Sequence, residues 1–427
     1  MTRLRKILAF CLIAAGACAL AVAADPQPFY LHPGDTVVFY GDSITEQRLY
    51  TMVTELYAVT RYPGLNATFV HSGWGGDRVT GGGGGPIDVR LQRDVFAYKP
   101  TVMTIMLGMN DGNYTRHQPA DDEVFFAGFQ HIVTDVRQHF PDIRITAIEP
   151  SPFDDVTRPI TLQPDGYNAV LVNYSNWIRR YASERKLTIA DLNTPVVEML
   201  KKANAADPAL AQKIIPDRVH PGLSGHLIMA EQLLKAWNAR PLVAAVTIDA
   251  AQGKVEEARF AHVSNLHAGA PLEWTELDEA LPLPFAEMLA ADRDHSIALA
   301  LDSSDITEAL NEQPLRITGL KPGNYRLTID GEAVGSWSDA ELSRGVNLAV
   351  LDTPMSKQAA EVQALTVRHI DVHEFRWRNL QVPLESMNIP HLDESLKALD
   401  AVEADLVARR RSTAQPRPHV FRLAPGT

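Results

Sequence analysis

The chain has 427 residues, of which 45% are hydrophobic and 22% are charged. A chain of this length exceeds what one hydrophobic core usually serves, so we expect two domains. The formal net charge of −12 and the isoelectric point of about 5.6 argue against nucleic acid or an anionic membrane surface as the main partner.

The first 24 residues have the pattern of a secretory signal peptide. Basic residues near the start precede an apolar run at 7–20, and small residues at 21–24 suit cleavage. The apolar run is short for a membrane span. We therefore expect a secreted or periplasmic protein without stable membrane insertion after the signal is removed, and an uncleaved anchor is the alternative.

The two cysteines, Cys11 and Cys18, both lie inside this signal. The mature chain would therefore have no disulfide, no thiol nucleophile and no thiolate metal site. The residues around Cys18 only weakly resemble a lipoprotein cleavage site, because Ala15 stands where such sites prefer a larger aliphatic residue. Free export is favoured over a lipid anchor.

Between residues 25 and 240, apolar runs alternate with helical patterns. Strands are predicted at 37–40, 67–70, 102–107 and 143–148. Helices are predicted where apolar residues recur with a period near 3.6, in stripes that begin at Phe125, Tyr167 and Leu223. This alternation implies a mostly parallel sheet with helices on both faces, and reactive groups at the carboxyl ends of its strands.

After Pro241 the sequence changes to short strands separated by turns. Strands are predicted at 243–249 and 254–261, on both sides of the Pro-Gly turn within 315–332, and as further candidates at 348–350 and 364–370. A helix is predicted over 392–411, followed by a loosely held tail. We expect a signal peptide at 1–24, an α/β domain at 25–240, a β-rich accessory region at 241–390, and a C-terminal helix and tail at 391–427.

Four short motifs follow one another in the α/β domain. They are "GDSIT" at 41–45, "HSGWGGDRV" at 71–79, "GMND" at 108–111 and "DRVHP" at 217–221. In this order they resemble the four sequence blocks of the SGNH (GDSL-type) hydrolase family, over roughly the first half of the mature chain. The resemblance implies a flavodoxin-like three-layer α/β/α fold with a mostly parallel sheet.

The resemblance also implies a catalytic triad. Ser43 would be the nucleophile, His220 the general base that takes its proton, and Asp217 the carboxylate that fixes the tautomer of the imidazole. A serine hydroxyl is a weak nucleophile without such a base. His220 is preferred over His226, which lies inside a predicted helix and is expected to be packed or solvent-facing.

An oxyanion hole is implied by the same family pattern. Its donors would be the backbone N–H groups of Ser43 and Gly76 and the side-chain amide of Asn110. Gly76 is chosen over Gly73 and Gly75 because the family glycine directly precedes a polar pair. A residue without a Cβ lets the backbone approach a substrate closely.

Several other residues near these motifs have structural interpretations. Asp42 and Asp111 are expected to shape turns, and His71, where the family often has Asn, is expected to support its loop. The glycines at 81–85 lack the Lys-Ser/Thr of a phosphate loop and predict a flexible rim. Trp74 could line a substrate groove or pack within its loop.

No metal and no cofactor are predicted. The histidines at 71, 117, 131 and 139 show no metal-ligand spacing combined with carboxylates.

These features predict a secreted serine esterase that acts through an acyl-enzyme on a small-molecule or polysaccharide ester, with an acetyl ester of a carbohydrate as the preferred substrate. A lipase or thioesterase with a longer acyl preference is the alternative within the same class. A carbohydrate-binding protein with a vestigial hydrolase core is the alternative from another class, and Trp274, Trp337 and Trp377 would be its candidate aromatic contacts. The sequence leaves the oligomeric state open.

Overall fold

The computed structural model describes residues 28–426. The predicted signal peptide, with Cys11 and Cys18, lies outside the described residues. Within 28–426, no helix combines the length and the apolar character that a membrane crossing needs.

A five-stranded parallel sheet forms the centre of the N-terminal half, residues 28–240. Its strands are β1 (Thr36–Gly41), β2 (Thr68–Gly73), β3 (Val102–Met106), β4 (Arg144–Glu149) and β5 (Thr188–Asp191). They pair in the order β2-β1-β3-β4-β5, which is the flavodoxin-like order. The sequence predicts the first four strands and misses β5, because its four residues carry too short an apolar pattern.

Helices cover both faces of this sheet and complete the three layers. They are α1 (Ser43–Glu46), α2 (Leu49–Arg61), α3 (Ile87–Asp94), α4 (Pro119–His139), α5 (Asn168–Arg185), α6 (Thr194–Ala206), α7 (Pro208–Ala211) and α8 (Leu223–Ala236). On one face, α2 bonds to β2 and packs beside α8. On the other face, Arg179 of α5 pairs with Glu149 of β4, and Phe125 of α4 stacks on Tyr174 of α5.

The strands β1, β2 and β3 end side by side, and the chain turns from β1 into α1 above their ends. Gly41 is the register partner of both Gly73 and Met106. A Cβ on Gly73 would collide with the backbone of Glu46, and a Cβ on Gly41 would collide with the side chain of Thr45. Glycine at these two positions therefore allows α1 to sit directly on the sheet edge, at the switch point where ligands of such folds bind.

The C-terminal half, residues 241–426, contains two further sheets. Its strands are β6 (Ala245–Asp249), β7 (Lys254–Arg259), β8 (Ala261–His267), β9 (Leu272–Asp278), β10 (Pro314–Thr318), β11 (Asn324–Ile329), β12 (Glu332–Ser338), β13 (Val346–Asn347) and β14 (His419–Pro425). One sheet has the order β8-β9-β14-β11-β12 and is antiparallel throughout. The other has the order β13-β10-β6-β7, with β6 and β10 parallel.

The helices of this half are α9 (Phe285–Ala291), α10 (Ser296–Asp302), α11 (Ile306–Leu310), α12 (Asp339–Arg344), α13 (Pro354–Glu374), α14 (Val382–Leu384) and α15 (Leu392–Thr413). A π-helical turn, Phe375–Gln381, links α13 to α14. The predicted C-terminal helix is confirmed as α15.

Three predictions for the C-terminal half are wrong. Residues 364–370 lie within α13, and residues 348–350 form a 3₁₀ turn rather than a strand. The residues predicted to form a loosely held tail contain β14, which pairs with β9 and β11 in the middle of a sheet. The two strands predicted around the Pro-Gly turn exist as β10 and β11, but they lie in different sheets.

A buried ion pair joins the two halves. Arg410 of α15 pairs with Glu55 of α2, and Glu55 also bonds to His71 Nε2 of β2 at 2.9 Å. Burial alone would raise the pKa of Glu55, but Arg410 and His71 outweigh it and lower that pKa to about 2. The expected loop-support role of His71 is wrong, since its other ring nitrogen bonds to Thr51, also on α2.

Candidate active site

Ser43, His220 and Asp217 form a continuous chain of hydrogen bonds at the carboxyl end of the parallel sheet. Ser43 Oγ lies 2.8 Å from His220 Nε2, and His220 Nδ1 lies 2.7 Å from Asp217 Oδ2. Because an ionised carboxylate only accepts, Nδ1 carries the proton and Nε2 is left to accept from the serine hydroxyl. The three residues that the sequence predicts as a triad are thus brought together in the order that proton transfer from a serine requires.

The turn from Asp217 to His220 is held by its own side chain. Asp217 Oδ1 accepts from the backbone N–H of Val219 at 2.9 Å and from that of His220 at 2.7 Å. Arg218, directly after Asp217 in this turn, has a φ of 76°, a conformation that is uncommon for a non-glycine residue. Burial alone would raise the pKa of Asp217, but the hydrogen bonds from His220 and Val219 lower it below its usual value. The carboxylate is therefore ionised at neutral pH.

Two acidic residues shape the turns around the site, as predicted. Asp42 caps α1, because its Oδ1 accepts from Ile44 N at 3.0 Å, and burial raises its pKa to about 8. This cap leaves Ser43 as the first residue of α1, with its hydroxyl facing His220. Asp111 Oδ1 accepts from the N–H of Val79 at 2.9 Å and links the third motif to the second.

Gly76 and Asn110 follow β2 and β3, the two strands that flank β1. Gly76 has a φ of 77°, and no atom lies within 4 Å of the place where a Cβ would stand. Asn110 Nδ2 donates to the backbone carbonyl of Asp77 at 3.0 Å, so the second and third motifs are tied together next to Gly76. This placement is compatible with the oxyanion roles that the sequence predicts, which stay predictions.

Tyr114 fixes the orientation of the Asn110 amide, and no sequence motif indicates it. Its hydroxyl donates to Asn110 Oδ1 at 3.0 Å, while Asp77 O occupies one of the amide N–H groups. Among the described contacts, the second N–H of this amide has no acceptor. Tyr114 and Asn113 have φ values of 54° and 56°, and the Tyr114 ring stacks on Tyr167 at 5.0 Å. Such strained conformations concentrate at functional sites.

A second group of hydrogen bonds supports the loop that carries His220. Gln47 Nε2 donates to the carbonyl of Pro221 at 3.1 Å, and Gln47 Oε1 accepts from His226 Nε2 at 3.1 Å. His226 Nδ1 in turn accepts from the N–H of Tyr50 at 3.2 Å. Burial lowers the pKa of His226 to about 3, so its ring stays neutral. His226 is therefore packed, which is one of the two outcomes expected for it.

The glycine run at 81–85 forms a packed hairpin. Gly81–Gly82 pairs with Gly85–Pro86, and a Cβ on Gly82 would lie 2.7 Å from the carbonyl oxygen of Gly76. The run is thus folded against the second motif, whereas the sequence predicts a flexible rim. Trp74 packs within its loop, edge-on against Trp377 at 5.6 Å, and is buried.

The residues around Ser43 line an open cleft of about 420 Å³, which we call the Ser43 cleft. It is lined by Ser43, Glu46, Gln47, Arg48, His220 and Glu374. All six side chains are polar or charged. Glu374 belongs to the C-terminal half and would not be expected at the site from the sequence. Between residues 28 and 426, no cluster of three or more His, Cys, Asp and Glu side chains is arranged to hold a metal ion.

The fold and these motifs define a flavodoxin-like α/β protein of the hydrolase class, and the comparisons with known proteins identify its family. Residues 39–228 match the GDSL-like lipase/acylhydrolase family. An acetylxylan esterase of Geobacillus stearothermophilus is 27% identical over 227 residues, which are 47% of this chain and 93% of that protein. A solved structure described as a gut microbial diltiazem-metabolizing enzyme has a TM-score of 0.81 and 25% identity, over 94% of this chain and 99% of that one.

The N-terminal half contains a GDSL-like (SGNH) hydrolase domain, and the protein is an ester-bond hydrolase. The family match covers only the N-terminal half, whereas the structural likeness extends through both halves. The C-terminal half is therefore part of an architecture that another solved enzyme shares.

Proposed function

We propose that the protein is an exported serine esterase that removes acetyl groups from carbohydrate esters through an acyl-enzyme. The observation that carries this proposal is the relay from Ser43 Oγ through His220 to Asp217, with distances of 2.8 Å and 2.7 Å. The signal-like pattern of residues 1–24 supports export.

In the proposed mechanism, His220 Nε2 accepts the proton of Ser43 as the hydroxyl oxygen attacks the ester carbonyl. Asp217 stabilises the imidazolium that forms, and the N–H groups of Ser43, Gly76 and Asn110 donate to the oxyanion. His220 then protonates the departing alcohol, which leaves an acyl-enzyme. Water, deprotonated by His220, attacks this ester and releases acetate, and the proton returns to Ser43.

The chemistry of the Ser43 cleft favours a short acyl group. An enzyme that prefers a long acyl chain gains binding free energy by burying the methylene groups of that chain in an apolar channel, about 0.8 kcal/mol for each group. The cleft has only polar and charged lining residues. This supports an acetyl ester over the lipase or long-chain thioesterase alternative.

A carbohydrate is the proposed alcohol part of the substrate. Sugar hydroxyls can donate to the carboxylates and accept from the guanidinium of such a polar cleft. The relative that is 27% identical is an acetylxylan esterase, which points to the same substrate class. Of the candidate sugar-contacting tryptophans, Trp274 and Trp377 are buried, so the alternative of a carbohydrate-binding protein gains no support from them.

Hydrolysis of p-nitrophenyl acetate and p-nitrophenyl octanoate, and acetate release from acetylated xylan, would test this function. We expect turnover of both acetyl substrates, little turnover of the octanoate, and a loss of about 10⁴-fold or more in kcat for Ser43→Ala. Ser395→Ala, an exposed serine whose hydroxyl bonds only within α15, is the matched control and keeps full activity. Equal rates for the wild type and Ser43→Ala would contradict the mechanism.

A further inference from the structure

We propose that the end of α13 and the π-helical turn after it form a second wall beside the Ser43 cleft, and that two charges of this wall select the alcohol part of the ester. These are Glu374, the last residue of α13, which lines the cleft, and Arg378 of the π turn, which pairs with the cleft residue Glu46. The selection favours cationic over anionic alcohol parts. This inference rests on the esterase function proposed above, because it concerns the substrate class of the same site.

Glu374 brings a charge from the C-terminal half to the reacting residues. It lines the same cleft as Ser43 and His220. Its Oε2 lies 3.0 Å from Nη1 of Arg48, and both side chains are partly exposed to the cleft, 18% for Glu374 and 26% for Arg48. The N-terminal half alone would leave Arg48 without this carboxylate.

Arg378 brings a second charge to Glu46, which also lines the cleft. Its Nη2 lies 3.2 Å from Oε1 of Glu46, a residue of α1. Its guanidinium lies over the ring of Trp74, 3.0 Å from the ring centroid. Trp74 and Glu46 both adjoin Gly75, where a Cβ would lie 2.7 Å from Glu46 Oε2. One turn of the C-terminal half therefore contacts both the nucleophile helix and the loop that carries Gly76.

The wall is held in one position relative to the parallel sheet. Trp377 is buried, and its Nε1 donates to Asp94 Oδ1 at 2.6 Å. Asp94 is itself bound by Arg90, and both are fully buried. On the far side, Arg376 Nε donates to Asp400 Oδ1 of α15 at 2.6 Å. Anchors on both sides set the positions of Glu374 and Arg378, as selection by a side chain requires.

The local sequence accounts for the unusual backbone. Pro383 lacks an N–H and its ring would clash with the carbonyl four residues earlier in a regular helix. The π turn at 375–381 lies directly before it and widens the helix there. Such turns occur often at functional sites.

The charges of the cleft set the direction of selection. Its ionisable lining consists of two carboxylates, Glu46 and Glu374, one guanidinium, Arg48, and the imidazole of His220. With His220 neutral, as the general base must be, the lining has one net negative charge. The total stays the same when the charges bound to the lining are included, because Arg378 on Glu46 adds one positive charge and Asp217 on His220 adds one negative charge. A cation on the alcohol part is attracted to it and an anion is repelled. Removing the Glu374 carboxylate cancels this charge, and removing the Arg378 guanidinium beside Glu46 increases it.

Two acetyl esters of opposite charge test the proposal with the full-length mature protein at pH 8. Acetylcholine has a quaternary ammonium on its alcohol part, and acetylsalicylate has a carboxylate. Acetate release in a pH-stat gives kcat/KM for each. We expect the ratio of kcat/KM for acetylcholine to kcat/KM for acetylsalicylate to fall by at least about fivefold in Glu374→Gln and to rise in Arg378→Gln. This is the size of effect expected when one unit charge is removed within about 10 Å of the charged group of the substrate.

Glu332→Gln is the matched control, because it also removes one carboxylate from the C-terminal half, at an exposed position on β12 that pairs with Lys357. Its ratio stays at the wild-type value. A role of the wall in stability alone would change both rates in parallel, so unchanged ratios in the two folded wall variants would overturn the proposal. Hydrolysis of p-nitrophenyl acetate by the wild type and by Ser43→Ala is measured in the same experiment. If the wild type hydrolyses this ester and Ser43→Ala does not, the esterase function holds and unchanged ratios contradict the charge selection alone.

Discussion

In the N-terminal half, each strand of the parallel sheet is followed by helix, and its neighbours come from nearby in the sequence. The antiparallel sheet of the C-terminal half instead takes its middle strand from residues 419–425, which lie about 80 residues after the nearest of its other strands. The first arrangement places Ser43 at the start of α1, and Asn110 and His220 on loops, all within the N-terminal half. The helix α13 and the π turn after it, also in the C-terminal half, contact the N-terminal half at α2 and at Asp94. The chemistry and the proposed charge selection therefore depend on different parts of the chain.

The largest effect on stability is expected where β14 completes its sheet. Phe421 is buried and stacks on Trp274 at 5.1 Å, so Phe421→Ala should cost about 3–5 kcal/mol of unfolding free energy. The adjacent Val420 is 53% exposed, and Val420→Ala should change this free energy by less than about 0.5 kcal/mol. Chemical denaturation measures both. Equal losses of unfolding free energy in the two variants would mean that the buried face of β14 does not stabilise the hydrophobic core of the C-terminal half.

The ion pair between the halves gives the next prediction. Arg410→Ala leaves Glu55 buried without its main partner and should lower the free energy of unfolding by about 3–5 kcal/mol. Arg409→Ala, at the exposed neighbouring position, should be nearly neutral. The double variant Glu55→Gln with Arg410→Met removes both charges and should recover most of the loss. A double variant no more stable than Arg410→Ala would contradict the ion-pair interpretation.

The same pair predicts how stability depends on pH. Glu55 has a folded-state pKa of about 2 against a usual value of 4.5, so its contribution is fully present above about pH 4.5 and is lost as the pH falls towards 2. The shift corresponds to about 3 kcal/mol at most. Between pH 5 and pH 2, the unfolding temperature should decrease less for the Glu55→Gln, Arg410→Met variant than for the wild type. Parallel decreases would show that other carboxylates account for the acid sensitivity.

The smallest effect concerns the N-terminal half alone. Tyr114→Phe removes the donor that orients the Asn110 amide, so kcat on p-nitrophenyl acetate should fall by about 3- to 10-fold with little change in KM, as expected for one neutral hydrogen bond. Tyr30→Phe removes a phenol hydroxyl from a ring that packs against Arg144, at the amino end of β4, and should leave kcat unchanged. A rise in KM at constant kcat would instead assign Tyr114 to substrate binding.

The sequence predicts the parallel sheet and the relay because both have local signals. Each of the first four strands is an apolar run, and the motifs that contain Ser43, Asn110 and His220 lie at predicted strand or helix ends. Residues 364–370 misled the prediction, because their β-branched residues favour a strand. The buried side chains Val362, Thr366, Ile370 and His373 instead follow a helical period along α13.

The residues of the wall could not be predicted for a different reason. Glu374 and Arg378 lie more than 300 residues from Ser43, in a segment rich in charged side chains, and no local pattern shows which charges reach the cleft. Likewise, β14 follows Pro416 and Pro418 and ends at Pro425, so only its pairing with β9 and β11 shows that it is a central strand. Tyr114 was missed because its role depends on a contact with Asn110 rather than on a motif.

The position of β14 also has a consequence for biosynthesis. Domains generally fold in order as they leave the ribosome, so the N-terminal half can fold while the rest is still being translated. The antiparallel sheet cannot close until residues 419–425 have been translated, because its middle strand follows its other four strands in the sequence. A message cut short before codon 419 would thus encode every residue of the relay, yet yield a chain whose second sheet lacks its central strand.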